Sequence, residues 1–538
     1  MQTLSSATHS WLAWFYKGLL LFGTLILISR LFELQIIKGA YYHSLADNNR
    51  IRHVPIHAGR GQVLARGGEI LIDNEESQFA VNFSPESGFD KVAPEKDTSQ
   101  EEIITESIRT YPLADKFAHV SGYLGEVNEE EVGKSDPDCL EKGPRKIGTL
   151  VGRSGLEKQY GCTLRGIDGE ELVEVDTFGN KIRVLGRKKP TPGESLTTTI
   201  DYGLQKIISA RLQSKKGVII ASTGNGEILA LYSSPSFDPN LFVDPSLLVQ
   251  DKITAVLTNK DLPMFNRAIG GSFHPGSVYK PLVAITALET GAIDQNYTYD
   301  DQGFIKVEDF VYNNWYFTQY GGKEGQIDLP RALARSTDTF FYKIGELTGI
   351  DNIVEWSRKF SLDKRTNIDL PGEIESLVPS PEWKKAVKGE RWYLGNTYHM
   401  SIGQGDLSLT PIAVHMITTT IANRGQYCPP HISQTTPSNC QDLGISESNI
   451  DYVISGMTSA CSEGGTAFPF FGFSPEAACK TGTAETNEED ATHAWFTVFA
   501  PSKDPEIVLT ILIEKGGEGS ADAAPLAKEI LDYWFHNR

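Results

Sequence analysis

A serine three residues ahead of a lysine can serve as a nucleophile with its base beside it, because residues i and i+3 share one face of a helix. Ser277-Val278-Tyr279-Lys280 has this form and opens the apolar run PGSVYKPLVAITALETG. A serine at a helix start also feels the positive end of the dipole, which favours a developing alkoxide. To act as base Lys280 must give up its proton, and burial with a neighbouring cation such as Lys480 would lower its pKa. Pro281 follows at once. Its missing N–H deprives the Ser277 carbonyl of a helical partner, so an irregular first turn is expected at the serine.

Two further patterns complete a set. Ser336-Thr337-Asp338 forms a polar break in LPRALARSTDTFFYKIGELTG, which reads as two helices. Ser336 or Asp338 could simply cap the second helix. In chemistry, the Ser336 hydroxyl would relay a proton between Lys280, Lys480 and a leaving amine. Lys480-Thr481-Gly482 is the only K-T-G in the chain and reads as part of a strand, ACKTGTAET. Alternation along that strand would turn Lys480 toward a cleft, and Gly482 would let a peptide lie flat against the backbone. The Thr483 N–H, with that of Ser277, would form an oxyanion hole. Each pattern alone is cheap: Ser361-Leu362-Asp363-Lys364 repeats the first and Ser236-Phe237-Asp238 the second. Order and spacing single out the set, with gaps of 59 and 144 residues. His274, beside Pro275, reads as a packing residue.

The elements that must position these groups follow from patterning. GVIIASTGNGEILALYSS has two apolar runs around Asn225-Gly226, a hairpin signal. The helix at the serine should open on Pro275 and close on Gly291. HAWFTVFA and EIVLTILIE read as strands joined by the turn PSKDP, and an amphipathic helix should run from about residue 521 to 536. Antiparallel strands flanked by helices from both chain ends, with a helical insert between them, define an α+β domain. PTPGESL (190–196) marks a boundary before it.

At 538 residues the chain needs two or three domains, and its 22% charged content is ordinary for a globular protein. A net charge of −19 argues against nucleic acid as partner. From Trp11 to Ile28 only Lys17 is charged, and aromatics cluster at one end, as in a membrane span with an interfacial belt. A cleaved signal peptide is the alternative, but no small-x-small site follows, and SRLFELQIIKG continues the helical pattern. The flanking charges do not settle orientation: Arg30, Lys38, Arg50 and Arg52 follow the span, against His9 and Lys17. The six cysteines show no C-x-x-C spacing, so a zinc ribbon is not expected. Cys428 and Cys440 are the favoured pair if disulfides form, and buried free thiols are the alternative.

The motif trio in this order resembles that of the penicillin-binding proteins and serine β-lactamases. PGSVYKP, SIGQGDLSLTPIAV (401–414) and KTGTAET resemble the class B penicillin-binding proteins over most of residues 200–538. RGQVLARGGEILIDN (60–74) and GRSGLEKQYGCTLRGIDG (152–169) resemble the membrane-proximal pedestal of that family. SPSFDPNLFVD (234–244), and an aspartate rather than an asparagine at 338, resemble its elongation type, penicillin-binding protein 2, more than the division type.

The resemblance implies a peptidoglycan D,D-transpeptidase. Ser277 would attack a D-alanyl-D-alanine stem peptide, expel D-alanine and pass the acyl group to an amine on a neighbouring strand, and β-lactams would acylate the same serine. Lys280, Ser336 and Lys480 would be catalytic, while Asp338, Thr481, Gly482 and Thr483 would bind substrate or the oxyanion, with Asp338 marking subtype more than chemistry. It also implies a cytoplasmic tail (1–10), an anchor (11–34), a β-rich pedestal (35–199) and an α+β transpeptidase domain (200–538) outside the cytoplasm. Lipid-linked precursor strands and a RodA-type glycosyltransferase would be partners. No cofactor is expected. Some relatives hold zinc near the second motif through Asp, His and Cys, but residues 300–335 contain no His or Cys, so no metal is expected. Two departures stand out: Ala65-Arg66-Gly67-Gly68 replaces the family's D-R-x-G, and the stretch between Asn74 and Pro112 is short, so the pedestal's head should be trimmed. A D,D-carboxypeptidase or β-lactamase-like hydrolase, a division-type enzyme and a non-catalytic sensor are the competing readings. No E-x-x-x-N element appears between the second and third motifs to serve a hydrolase, and no motif is lost, as a sensor would allow.

Overall fold

The computed structural model describes residues 10–84, 88–92, 102–146, 148–176, 181–244, 249–486, 488 and 491–538. Helix α1 (Ser10–Phe32) runs into a π-turn, Glu33–Ile37. Within the 27 residues from Trp11 to Ile37 an 18-residue stretch reaches a mean hydropathy of 1.8 and stands uncovered, and the segment has the length and composition to cross a membrane.

The chain divides into two compact units. The first gathers residues up to 59, 77–106 and 167–192. Its antiparallel sheet has the order β1 (Ile51–Ile56), β2 (Gly169–Val175), β3 (Lys181–Lys188), with Ile51 opposite Glu174 and Ile56 opposite Gly169. Part of the stretch expected to be trimmed, residues 85–87 and 93–101, lies outside the described residues.

The second unit gathers 60–76, 107–166 and 193–538. Helix α2 (Tyr202–Leu212) leads into the expected hairpin, β4 (Gly217–Ser222) and β5 (Ile228–Ser234). Its turn ends on Gly226 at φ +91°, a conformation that Asn-Gly sequences favour. The five-stranded antiparallel sheet is completed by β6 (Ala478–Glu485), β7 (Thr492–Ala500) and β8 (Ile507–Ile513), in the order β5-β4-β8-β7-β6. Both faces are covered, which is why these strands read as continuous apolar runs. On one face Ile219, Phe496 and Ile511 pack with Leu204 of α2 and with Ile530 and Leu531 of the C-terminal helix Ala524–His536. On the other, Val218 and Ile220 join a larger core around the helices that carry the first two motifs.

The two pedestal-like motifs meet inside this second unit. Arg60 and Arg109 reach the carboxylate of Glu157 at 2.8 and 2.7 Å, and Glu157 is fully buried. Burial alone would raise its pKa, but the two guanidinium groups hold it below the usual carboxylate range. All six cysteines pair: Cys428 with Cys440 as favoured, Cys139 with Cys162, and Cys461 with Cys479. Among the described residues, one group of ligand-type side chains lies at coordinating distance, Asp136, Cys139 and Cys162, and there the two sulfurs are already joined.

Removing Glu157 strands two arginines, one of them almost wholly inaccessible. Glu157→Ala should cost about 3–5 kcal/mol of stability, read as a fall in the urea midpoint of unfolding.

Candidate active site

Proline decides the shape of the first motif. Gly276–Tyr279 form a 3-10 turn, and the α-helix proper, α3 (Lys280–Glu289), starts at Lys280 with Pro281 in its first turn. The Lys280 N–H caps back to the Ser277 carbonyl, so the irregularity expected at the serine is a tighter turn. Ser277 is half-buried on that turn, while Lys280, one helical step on, is wholly buried in the core.

The turn is seated by the segment 401–414 and by β6. Gly276 N–H donates to Gly403 O at 2.9 Å, and Phe273 and Leu409 exchange both backbone bonds. His274 Nδ1 donates to Leu407 O at 2.6 Å, and its carbonyl accepts from Trp495 Nε1 at 3.0 Å, which is structural work as expected. The contact is so close that a Cβ on Gly403 would lie 2.1 Å from Gly276 O. A Cβ on Gly482 would lie 3.0 Å from both Val278 Cγ1 and Trp495 Cβ. This adds a reason for Gly482: its missing side chain admits the serine turn against the strand.

The second motif does not take the capping role that was the alternative reading for Ser336 and Asp338. Helix α4 (Leu329–Arg335) ends on Ser336, which takes the left-handed conformation at φ +56°. Thr337 is the N-cap of α5 (Asp338–Thr348), so neither Ser336 nor Asp338 fills that position. The strained backbone at Ser336, of order 1–3 kcal/mol, turns its hydroxyl inward, leaving it largely buried.

There the three motifs converge. Ser336 Oγ accepts from Lys280 Nζ at 3.2 Å and from Lys480 Nζ at 2.8 Å. Lys280 Nζ also donates to Ser336 O at 2.8 Å and to Asp338 Oδ1 at 2.6 Å. It was expected to lie against the Ser277 hydroxyl; instead, Ser277 Oγ has no hydrogen bond among the described residues. Burial lowers the pKa of Lys280, with the Asp338 carboxylate opposing the shift. Burial and then the charge of Lys280 push Lys480 well below the ordinary lysine range. The arrangement holds one carboxylate and two amines around one hydroxyl, so a proton can pass between the lysines through Ser336. Asp338, expected mainly to mark subtype, is the counter-ion of Lys280 in the first motif.

β6 is an edge strand of the sheet. Thr481 turns inward, with Oγ1 2.8 Å from Thr466 Oγ1, while Thr483 is exposed and its carbonyl lies 3.4 Å from Gln404 Nε2. The disulfide Cys461–Cys479 ties the residue before Lys480 to the end of helix α6 (Glu447–Ala460). The decoys are structural: Lys364 is exposed beyond a turn at Ser361, and Asp238 caps a 3-10 turn at Asn240 N–H. Sequence reasoning missed Trp315, whose backbone N–H donates to Asp338 Oδ2 at 3.0 Å. No spacing rule links a residue 23 positions upstream.

Residues 217–532 match the penicillin binding protein transpeptidase domain and 94–198 the penicillin-binding protein dimerisation domain. The peptidoglycan D,D-transpeptidase MrdA of Acinetobacter baumannii is 32% identical over 97% of this chain and 87% of its own. Pseudomonas aeruginosa PBP2, solved in complex with WCK 5153, superposes with a TM-score of 0.73 at 31% identity, covering 90% of this chain and 97% of that one. A chain from a peptidoglycan synthase complex, solved in work on the coordination of polymerization and crosslinking, gives a TM-score of 0.77 at 25% identity over 99% of both chains. The chain belongs to the class B penicillin-binding proteins, on their elongation-type branch.

Because Asp338 raises the pKa of Lys280, its removal lowers that pKa further. Asp338→Asn should therefore shift the rising limb of the pH profile for penicillin acylation to lower pH, measured as second-order rate constants between pH 5 and 9.

Proposed function

We propose that this chain is a peptidoglycan D,D-transpeptidase of cell elongation, with Ser277 as its nucleophile. The observation that carries the reading is the single hydroxyl of Ser336 shared by Lys280 and Lys480, which joins three motifs scattered over the chain. Burial favours the neutral amine at both lysines, most strongly at Lys480. The neutral Lys280, one turn from Ser277, then takes the serine proton as Oγ attacks the carbonyl of the penultimate D-alanine. The N–H groups of Ser277 and Thr483 stabilise the oxyanion. Collapse of the tetrahedral adduct expels D-alanine, protonated through Ser336, and leaves an acyl-serine. An amine of a second stem peptide attacks that ester and restores the hydroxyl.

The donor peptide lies along the edge of β6, adding to the sheet as an extended strand beside Thr481 and Thr483. β-Lactams acylate the same serine. The end of the dimerisation match at 198 and the start of the transpeptidase match at 217 support a functional division between a pedestal (35–199) and a transpeptidase domain (200–538). Three disulfides support an oxidising compartment for the body of the chain, with α1 as a single-pass anchor and the N-terminus in the cytoplasm. The likeness to a chain from a synthase complex that couples polymerization to crosslinking supports a RodA-type glycosyltransferase as membrane partner.

Fluorescent penicillin should label the wild-type chain, should fail to label Ser277→Ala and Lys280→Ala, and should label Ser361→Ala normally. The acyl-enzyme should persist far longer than a transpeptidation cycle. An unlabelled wild type, or an adduct hydrolysed within seconds, would remove the reading.

A further inference from the structure

The carboxylate of Asp338 does not stand alone. Its Oδ1 faces Lys280, its Oδ2 accepts the Trp315 N–H at 3.0 Å, and its own N–H donates to Asn314 Oδ1 at 3.1 Å. Two consecutive residues, 314 and 315, thus grip one aspartate at both its backbone and its side chain.

Asn314 is itself fixed from behind. Its side-chain nitrogen donates to Asp301 Oδ2 at 3.2 Å, and its backbone N–H to Gly303 O at 2.7 Å. Both Asn314 and Asp301 are completely buried. Asp301 accepts three more bonds: from Gly303 N–H at 2.8 Å, Thr339 Oγ1 at 2.7 Å and Glu324 N–H at 2.9 Å. Four donors and no cation meet this carboxylate among the described residues, an arrangement that fixes direction as well as charge. A buried carboxylate satisfied in this way is expensive to rearrange, since every bond it loses exposes an unpaired group to a dry interior.

Resting on the transpeptidase reading, we infer that Asp301 and Asn314 are positioning residues that hold Asp338 on Lys280 and so set the protonation of the lysine beside the nucleophile. Neither touches substrate. Asp301 fixes the rotamer of Asn314, Asn314 fixes the first turn of α5, and Trp315 fixes the plane of the carboxylate. Slackening any link draws Asp338 away from Lys280 and loses part of the electrostatic support for its ammonium.

The test uses the full-length chain in detergent, with fluorescent penicillin as probe and the acylation rate measured from pH 5 to 9. Asn314→Ala and Asp301→Asn should each slow acylation about tenfold and move the rising limb to lower pH, in the direction of Asp338→Asn. On the Asp338→Asn background, Asn314→Ala should change the rate less than twofold. Thr339→Val removes another bond to Asp301 but leaves the Asn314 link intact, so it should lower the thermal midpoint without moving the pH profile. Asn314→Ala is the milder of the two site variants and keeps the test open should Asp301→Asn fold poorly. An unmoved pH profile in Asn314→Ala, or effects that multiply fully with Asp338→Asn, would overturn the inference while leaving the transpeptidase reading intact. A wild type that takes no penicillin would instead overturn that underlying reading.

Discussion

Two amines buried together need a single negative charge and a shared acceptor, and the second unit is organised around that electrostatic requirement. Lys280 and Lys480 are both wholly inaccessible, yet their nitrogens lie within hydrogen-bonding reach of one hydroxyl. Desolvating two ammonium ions side by side would be prohibitive, so burial drives at least one toward the neutral amine. Asp338 balances the other. Placing one lysine inside the core helix, the other on an edge strand and the aspartate at a helix start requires three distant chain segments to meet within a few ångströms. The left-handed C-cap at Ser336 serves that requirement, ending α4 where its hydroxyl can face both lysines.

The scaffold meets this requirement through rigid seats. The serine turn is clamped between the strand and the segment 401–414 by backbone hydrogen bonds and by glycines at the points of closest approach. Behind Lys480 the sheet is packed on both faces, and the preceding cysteine is bonded to a neighbouring helix. Little side-chain motion is left to the lysines. The freedom that catalysis needs is concentrated in protons and in the unbonded hydroxyl of Ser277.

Much of this was legible in the sequence. The hairpin at Asn225-Gly226, the two helices broken at Ser336 and the three C-terminal strands announce themselves through turn residues and apolar runs, which are local signals. The proline after Lys280 foretold an irregular turn at the serine, again because its effect is confined to its own turn. What stayed hidden depends on long-range packing. Gly482 read as a substrate platform, and nothing local shows that Val278 and Trp495 also press on it from elsewhere in the chain. Asp338 looked like a subtype marker because nothing in the linear order shows that Lys280 pairs with it. The pairing of all six cysteines was open for the same reason: fifteen connectivities are possible, and sequence cannot say which thiols face each other.

The glycines around the serine turn carry a consequence for drug resistance. A bulkier side chain at an active-site wall is a simple way to exclude a β-lactam while admitting a slender peptide. At Gly276 and Gly403 that route is closed, because the space a Cβ would take is already filled by the protein's own backbone, and at Gly482 a Cβ would press on Val278 and Trp495 at 3.0 Å. Any such change would displace the turn that carries Ser277 before it discriminates between ligands. Mutational escape in this chain is therefore channelled to the outward-facing rim, where Thr483 is exposed and Gln404 reaches its carbonyl.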